Sequence, residues 1–311
     1  MTERGFDSRL AYQTLLRRNA LLNHTINDTT TIQGQSVATV IEDTTYKGSR
    51  ITTLELVYPR YIHSEFMTHR MFSRNASSSR AIPIEKVANE VLTDPVGFDY
   101  VGLNQSGMVA AEELPENLKE EFLEDWKLWG MQTALKVKLW AKKYNIHKQT
   151  LNRALEPWSR IKVLVTATEW DNFFKLRLAS DAQPEIQNLA QAMKSAMDAS
   201  TPVESKIHLP YADLKGRKYT YEDIYHSVAR CARVSYNNNG GTTSTVEEDK
   251  KLFERLKDSG HWSPFEHLAE YFGGYEMYAN FHNWRSLRNI YEEQSNIDKL
   301  VEYIHEIFKE K

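Results

Sequence analysis

Between Thr68 and Pro83 the chain reads THRMFSRNASSSRAIP, setting His69, Arg70, Arg74 and Arg80 among Ser73, Asn75, Ser77, Ser78 and Ser79. Guanidinium forks bind phosphate in pairs of hydrogen bonds, and serine hydroxyls and loop N–H groups add donors, so the stretch outlines a mononucleotide phosphate site. The same composition also suits a solvated loop whose arginines pair with surface carboxylates. A second cluster is WDNFFKLRLASDAQPE, where Arg177 and Asp181 are spaced to share one predicted helix face in a segment apolar enough to be half buried. A buried arginine needs anionic company, supplied either by a ligand or by Asp181 or Glu185. A third cluster joins ARVSY (Ala232–Tyr236) to GHWSPFEH (Gly260–His267), dense in donors and acceptors as a pocket lip would be, or simply a turn capped by Ser263. Neither His261 nor His267 has the spacing of a helical metal site, and the single Cys231 has no partner for a Cys/His zinc site, so no metal is expected.

These clusters need elements to hold them. SRITTLELVY (Ser49–Tyr58) and RIKVLVTAT (Arg160–Thr168) read as strands, rich in β-branched residues. Arg60–Phe72 reads as a helix, SRNASSSR as a polar loop, and IEKVANEVL after Pro83 as another helix. The stretch PENLKEEFLEDWKLWGMQTALKVKLWAKKYN predicts a long helix with an interruption at Gly130; its Trp126, Trp129 and Trp140 are read as core rather than as a cofactor box. One or two helices follow, broken near Pro184. DASTPVESKIHLPYADLKGRK then loses all periodicity, placing a boundary near Pro202 between a region 1–202 and a second region 203–311. Beyond it the pattern predicts a helix at Tyr221–Val234, the loop NNNGGTTST, a helix at Val246–Asp258, a strand at Leu268–Tyr278, and helical material to the end.

A chain of 311 residues suffices for one large domain or two moderate ones. Its net charge of −3, from 39 basic and 42 acidic residues, and the absence of a basic stripe with interleaved aromatics argue against long nucleic acid as a partner. No apolar run reaches membrane-spanning length, the N-terminal pattern is unlike a secretory signal, and a lone cysteine suits a reducing cytoplasm.

Taken together, the three clusters resemble the flavin-dependent thymidylate synthases, the ThyX family. That family's signature is Arg-His-Arg, seven residues and a serine, extended by further Ser, Asn and Arg positions. THRMFSRNASSSR matches at His69, Arg70, Ser73, Asn75, Ser78 and Arg80, with Thr68 in place of the first arginine. NFFKLRLASDAQPEI (Asn172–Ile186) is similar to the family's downstream substrate segment. NRALEP resembles its Arg-x-x-Leu-Pro stretch, with Glu156 replacing the leucine. The ARVS and GHxSPFEH segments, which precede the signature in most members, here come after it, an order that resembles a circular permutation of the phage type and would suit a phage-infected host cell.

The resemblance implies an α+β fold with an antiparallel sheet, long helices and a site shared between subunits of a homotetramer. It implies synthesis of dTMP from dUMP with methylenetetrahydrofolate as carbon donor and FAD reduced by NADPH. Arg177 would be the catalytic residue, contacting the uracil. Glu65, Ser78, Ser79, Arg80 and Arg153 would join it in binding the nucleotide, and His69, Arg70, Asn75, Asn172, Ser235, Ser263 and Glu266 would bind FAD. No enzyme nucleophile is required, consistent with a Cys231 whose neighbours Arg230 and Arg233 show no sign of activating it. Three departures bear on details: Thr68 removes a charge, Glu65 stands where a glutamine is usual, and Asp181 where a histidine is usual. A carboxylate at Glu65 facing the base could accept from an exocyclic amine, which opens dCMP methylation or hydroxymethylation as an alternative. A nucleotide- and flavin-binding homologue without catalysis is another.

Overall fold

The computed structural model describes residues 29–214, 217–235 and 244–293. Its centre is an antiparallel sheet in the order β1-β2-β3-β5-β4, formed by β1 (Thr30–Gln33), β2 (Ser36–Tyr46), β3 (Ser49–Pro59), β4 (Ser73–Ala76) and β5 (Arg160–Ala167), with β6 (Val203–Glu204) parallel to β2. The helices are α1 (His63–Met67), α2 (Ile84–Thr93), α3 (Glu116–Tyr144), α4 (Lys148–Leu151), α5 (Asp171–Arg177), α6 (Pro184–Ala199), α7 (Tyr221–Ala232), α8 (Val246–Asp258) and α9 (Leu287–Glu293). Short strands β7 (Ile207–His208), β8 (Ala269–Tyr271), β9 (Met277–Tyr278), β10 (Phe281–His282) and β11 (Trp284–Ser286) complete the described chain. The fold is thus α+β, with an antiparallel sheet and long helices. None of the described helices is long and apolar enough to cross a membrane.

Strand alternation assigns the sheet two buried faces. On one, Leu54, Leu56 and Tyr58 of β3 and Ile161, Val163 and Val165 of β5 meet Ile186, Leu189, Met193 and Ala196 of α6. The other face carries Thr53, Leu164 and Thr166, all fully buried, and Leu164 joins a core made by α7, α8, the turn Ser263–His267 and α9. The described residues between 207 and 293 therefore cover the second face. A bulge at Ile41, between the pairs Val40↔Leu54 and Glu42↔Thr53, moves Glu42 and Thr44 onto that face as well.

Several elements differ from the sequence reading. Arg60–Phe72 is a 3-10 turn over Arg60–Ile62 followed by the short α1, because the chain must double back into β4. Ser73–Ala76 is a strand, not loop: despite its polar residues, it finds the free edge of β5, with Ser73↔Thr166 and Ala76↔Val163 in register. The strand expected over Leu268–Tyr278 breaks at Gly273 and Gly274, both with positive φ, so that β9 pairs with β10 rather than continuing β8. Helix α3 runs unbroken through Gly130, which sits against Trp158 so closely that a Cβ would lie 2.6 Å from its Cδ1. Trp126 is partly buried, but Trp129 is 57% and Trp140 36% exposed, so the expectation of core holds for neither of the latter. The hairpin of β1 and β2 was not anticipated at all.

Candidate functional site

Edge strand β4 is the spine on which the candidate residues gather. At its N-terminal end, Arg177 at the last position of α5 donates from Nε to His69 Nε2 (2.9 Å) and from Nη2 to Thr68 Oγ1 (3.4 Å). His69 accepts that bond only as the neutral tautomer with its proton on Nδ1. Burial, then the charges of Arg177 and Arg74, push its pKa down to about 4. The ring is fixed edge-on against Phe173 (4.8 Å between centroids) and stacks near Phe72. Arg74 donates from Nη1 to the carbonyls of Met67 (2.8 Å) and His69 (3.0 Å), tying α1 and the turn after it to β4. Helix α5 ends at Arg177, so Asp181 lies beyond it rather than on the same face. Glu185 instead accepts from the Asp99 N–H and from Gln183. Among the described residues, Arg70, Arg74, Arg80 and Arg177 form no ion pair with a carboxylate. Arg177 is partly buried beside Arg74, with a neutral imidazole for a partner, an arrangement suited to an anion.

After β4, Ser77 locks the loop to β5 by accepting from the Lys162 N–H at 3.1 Å. Ser78 Oγ accepts from the Arg80 N–H (3.3 Å), and the buried Ser79 gives its carbonyl to Asn152 Nδ2 (2.8 Å), which also binds the Ile82 carbonyl. That bond brings the serine loop alongside Arg153, the next residue, and the exposed Arg80. Lys148 Nζ reaches the Ala81 carbonyl at 3.0 Å and adds a cation that was not singled out from the sequence. Arg153 pairs with Glu156 (3.2 Å), which also holds Arg60. Glu65 accepts from Ser64 Oγ and sits half buried on α1; Asn172 is exposed near the start of α5.

The third cluster meets the first two through β4 itself. Asn75 donates from Nδ2 to the Cys231 carbonyl of α7 (2.6 Å), and Asn280 reaches Ser73 Oγ at 3.5 Å. Glu266, in the Ser263–His267 turn, exerts an attractive charge on Arg74 and is bonded by Arg288 of α9. Ser73, Glu266, Asn280, Arg288 and Asn289 line a cleft of about 260 Å³. Arg288 was missed, since nothing in a separation of 22 residues marks it as a partner of Glu266. Ser263 is half buried in the same turn; the Ser235 side chain lies outside the described residues. Burial pushes the Cys231 thiol well above its ordinary range, which excludes it as a nucleophile.

A buried polar chain fastens this turn to the sheet. His208 Nδ1 meets Thr44 Oγ1 (2.8 Å), His208 Nε2 meets Thr53 Oγ1 (2.7 Å), Thr53 Oγ1 meets Thr166 Oγ1 (2.6 Å), and Thr166 Oγ1 meets His267 Nδ1 (2.8 Å). Thr44 also donates to Glu42. One direction satisfies every link: each hydroxyl donates once towards Glu42 and accepts once, and both imidazoles are neutral with the proton on Nδ1. His267 Nε2 is left without a partner among the described residues, a bare acceptor rather than a bare N–H. Burial pushes the pKa of each histidine down to about 3.

Fold and site together bring Arg70, Arg74, Arg80 and Arg177 to the edge of an antiparallel sheet, none of the four in an ion pair with a carboxylate among the described residues. Residues 49–203, about half of the chain, match the family described as thymidylate synthase complementing protein, and the chain belongs to that family. Among solved structures, thymidylate synthase X (ThyX) from Helicobacter pylori with FAD and dUMP is 16% identical over 49% of this chain and 68% of its own, at a TM-score of 0.33. The UMP/dUMP methylase PolB from Streptomyces cacaoi bound with 5-Br UMP is 13% identical over 54% of this chain and 90% of its own, at a TM-score of 0.39. No curated protein matches the chain significantly.

Proposed function

We propose that this chain is a flavin-dependent thymidylate synthase that reductively methylates dUMP at C5, taking a one-carbon unit from methylenetetrahydrofolate and, through FAD, a hydride from NADPH. The observation that carries the reading is Arg177, held by a neutral His69 and Thr68 with no carboxylate partner among the described residues, in a member of this family. A guanidinium so placed stabilises the negative charge left on a pyrimidine ring when N3 loses its proton, the charge that makes C5 nucleophilic. His69 serves by staying neutral, since a protonated ring would turn a donor towards Arg177. Ser78, Ser79, Arg80 and Arg153 bind the nucleotide, with the Ser79–Asn152 bond setting the loop, and Glu65 stands beside the base.

The residues present fit FAD. Arg70 offers an exposed guanidinium, and Asn75 keeps a second amide hydrogen and its carbonyl oxygen after bonding Cys231. With His69, Asn172, Ser235, Ser263 and Glu266 they would hold the flavin, which when bound supplies the hydride. In keeping with the family resemblance, the chain acts on a free mononucleotide, in the cytoplasm, as a homotetramer whose neighbouring copies complete each site.

The test is the visible spectrum of the protein after incubation with FAD and desalting, followed by addition of dUMP or dCMP. Retained flavin with a dUMP-specific shift supports the reading. A dCMP-specific shift moves the substrate to a cytosine nucleotide, with Glu65 accepting from its exocyclic amine. Retained flavin and nucleotide with no NADPH oxidation would make it a binding homologue, and failure to retain flavin overturns the proposal.

A further inference from the structure

The buried polar chain that fastens the Ser263–His267 turn to the sheet can also carry protons. It crosses β2, β3 and β5, about 10 Å of sheet at the usual strand spacing, through hydroxyls and imidazoles alone. One end, Glu42, is partly exposed; the other, His267 Nε2, is buried and bare among the described residues. His267 lies behind the wall of the cleft. It follows Glu266 in sequence, its partner Thr166 is paired across the ladder with Ser73, and both Glu266 and Ser73 line the cleft.

Every link holds a proton that can move one place. A proton arriving at His267 Nε2 releases the one on Nδ1 to Thr166; Thr166 passes its own to Thr53, Thr53 to His208 Nε2, His208 Nδ1 to Thr44, and Thr44 to the Glu42 carboxylate. Every residue before Glu42 has then gained one proton and lost one, both histidines are still neutral, and only Glu42 has changed charge. Burial makes each imidazole a poor resting place for a proton, at about 3, and makes Glu42 a good one, at about 8 despite the bond from Thr44. A proton taken at His267 therefore does not stay there. The other charged groups on β2, β3, β6 and β7 are Asp43, paired with Arg50, Glu55, paired with Lys162, and the exposed Glu204; Asp43 adds to the upward shift of Glu42.

We propose that these residues form a proton wire: His267 Nε2 takes the proton that the pyrimidine gives up, directly or through one water, and Glu42 receives it, with Thr166, Thr53, His208 and Thr44 as the relay. The proposal deepens the catalytic reading above and rests on it for the substrate. That reading needs an acceptor for the N3 proton. His69 Nε2 is taken by Arg177 and Glu266 is bonded by Arg288, which leaves Glu65 as the competing acceptor. With the wire, the negative charge that Glu42 loses reappears on the pyrimidine, beside Arg177.

Two measurements test it. In nitrogen-15 histidine spectra of the full chain with no ligand added, the His208 and His267 signals should move together as Glu42 titrates. Thr53→Val should uncouple His267 while His208 still follows. Histidines indifferent to Glu42, or a His267 that follows it without the Thr53 hydroxyl, would overturn the wire whatever the substrate. In the loaded enzyme, Glu42→Gln should lower turnover about 10²-fold with the KM for dUMP and flavin retention unchanged, and Thr53→Ser should recover most of what Thr53→Val loses. Full turnover in Glu42→Gln, or a loss found in Glu65→Gln alone, would overturn the proposal. Failure to retain flavin strikes the catalytic reading instead, and the histidine spectra then decide the wire.

Discussion

Replacing Thr166 by valine removes one buried hydroxyl and little volume. That hydroxyl accepts from His267 Nδ1 at 2.8 Å and donates to Thr53 at 2.6 Å, in a sheet position with no access to water. In Thr166→Val the His267 N–H has no acceptor, while its Nε2 is already unpartnered. A buried donor left unmade costs about 1–3 kcal/mol, the second lost bond about 1, and the added methyl returns somewhat less than 1. The net is about 1–3 kcal/mol. For a chain of this size, with a urea dependence near 3 kcal/mol per molar, the unfolding midpoint should fall by about 0.3–1 M at equal protein concentration. Tryptophan fluorescence reads it. Adding Thr53→Val should then cost far less than it costs alone, since the chain is already cut. A midpoint unchanged by Thr166→Val, or two costs that simply add, would refute the one-directional chain of neutral histidines.

The same chain sets an acid limit. His208 and His267 have folded pKa values near 3 against about 6.5 unfolded, so the unfolded state binds the extra protons between these values. The two histidines' contribution is therefore full above pH 6.5 and lost as pH falls towards 3, at up to about 2.7 kcal/mol per pH unit, while Glu42, whose pKa burial raises to about 8, opposes it with half that slope between pH 8 and 4.5. His208→Gln or His267→Gln should reduce the loss of urea midpoint between pH 7 and pH 5 relative to the native chain; a pH dependence unchanged by both substitutions would contradict it. Arg177→Lys keeps the charge but loses the Nε–H bond to His69, and should lower turnover about 10²-fold in an assay of NADPH oxidation dependent on dUMP. Full activity in that variant would remove Arg177 from the chemistry. Gly130→Ala should lower thermal stability despite alanine's better helix propensity. Its Cβ would press within 2.9 Å of three atoms of the Trp158 ring, and overpacking of this kind costs about 1–3 kcal/mol, some 2–5 °C in melting temperature for a chain of this size.

Part of this structure was legible from the chain and part was not, for reasons that can be named. β3 and β5 were legible because both of their faces are buried and their residues are β-branched. β2 was not, although it turns into β3 through two successive left-handed residues, Lys47 and Gly48: its threonine-rich strand lacks the apolar run that draws attention. β4 failed for a different reason: its residues were chosen for what they touch, and local propensity yields at such positions to the free edge of β5. The crowding of Arg74, Arg177 and His69 was readable as chemistry from the residues, but its key contact joins positions 108 apart, beyond any spacing rule. Glu266–Arg288 and the His208–His267 chain are likewise tertiary facts.

The late segments of the chain reach the candidate site at β4. A strand at the edge of a sheet needs covering, and here the covering comes from residues late in the chain: α7 receives the Asn75 amide at the Cys231 carbonyl, Asn280 approaches Ser73, and the Ser263–His267 turn is pinned to β5 by Thr166. None of these contacts depends on which segment was made first. They require only that the path from α6 to α7 pass along β2, through β6 and β7, and deliver α7 to the open face. His208 on β7 marks that path, bonded at once to β2 and β3. The buried histidine chain therefore does for the late segment what a direct connection would do for an early one: it fixes where Glu266 arrives beside Arg74.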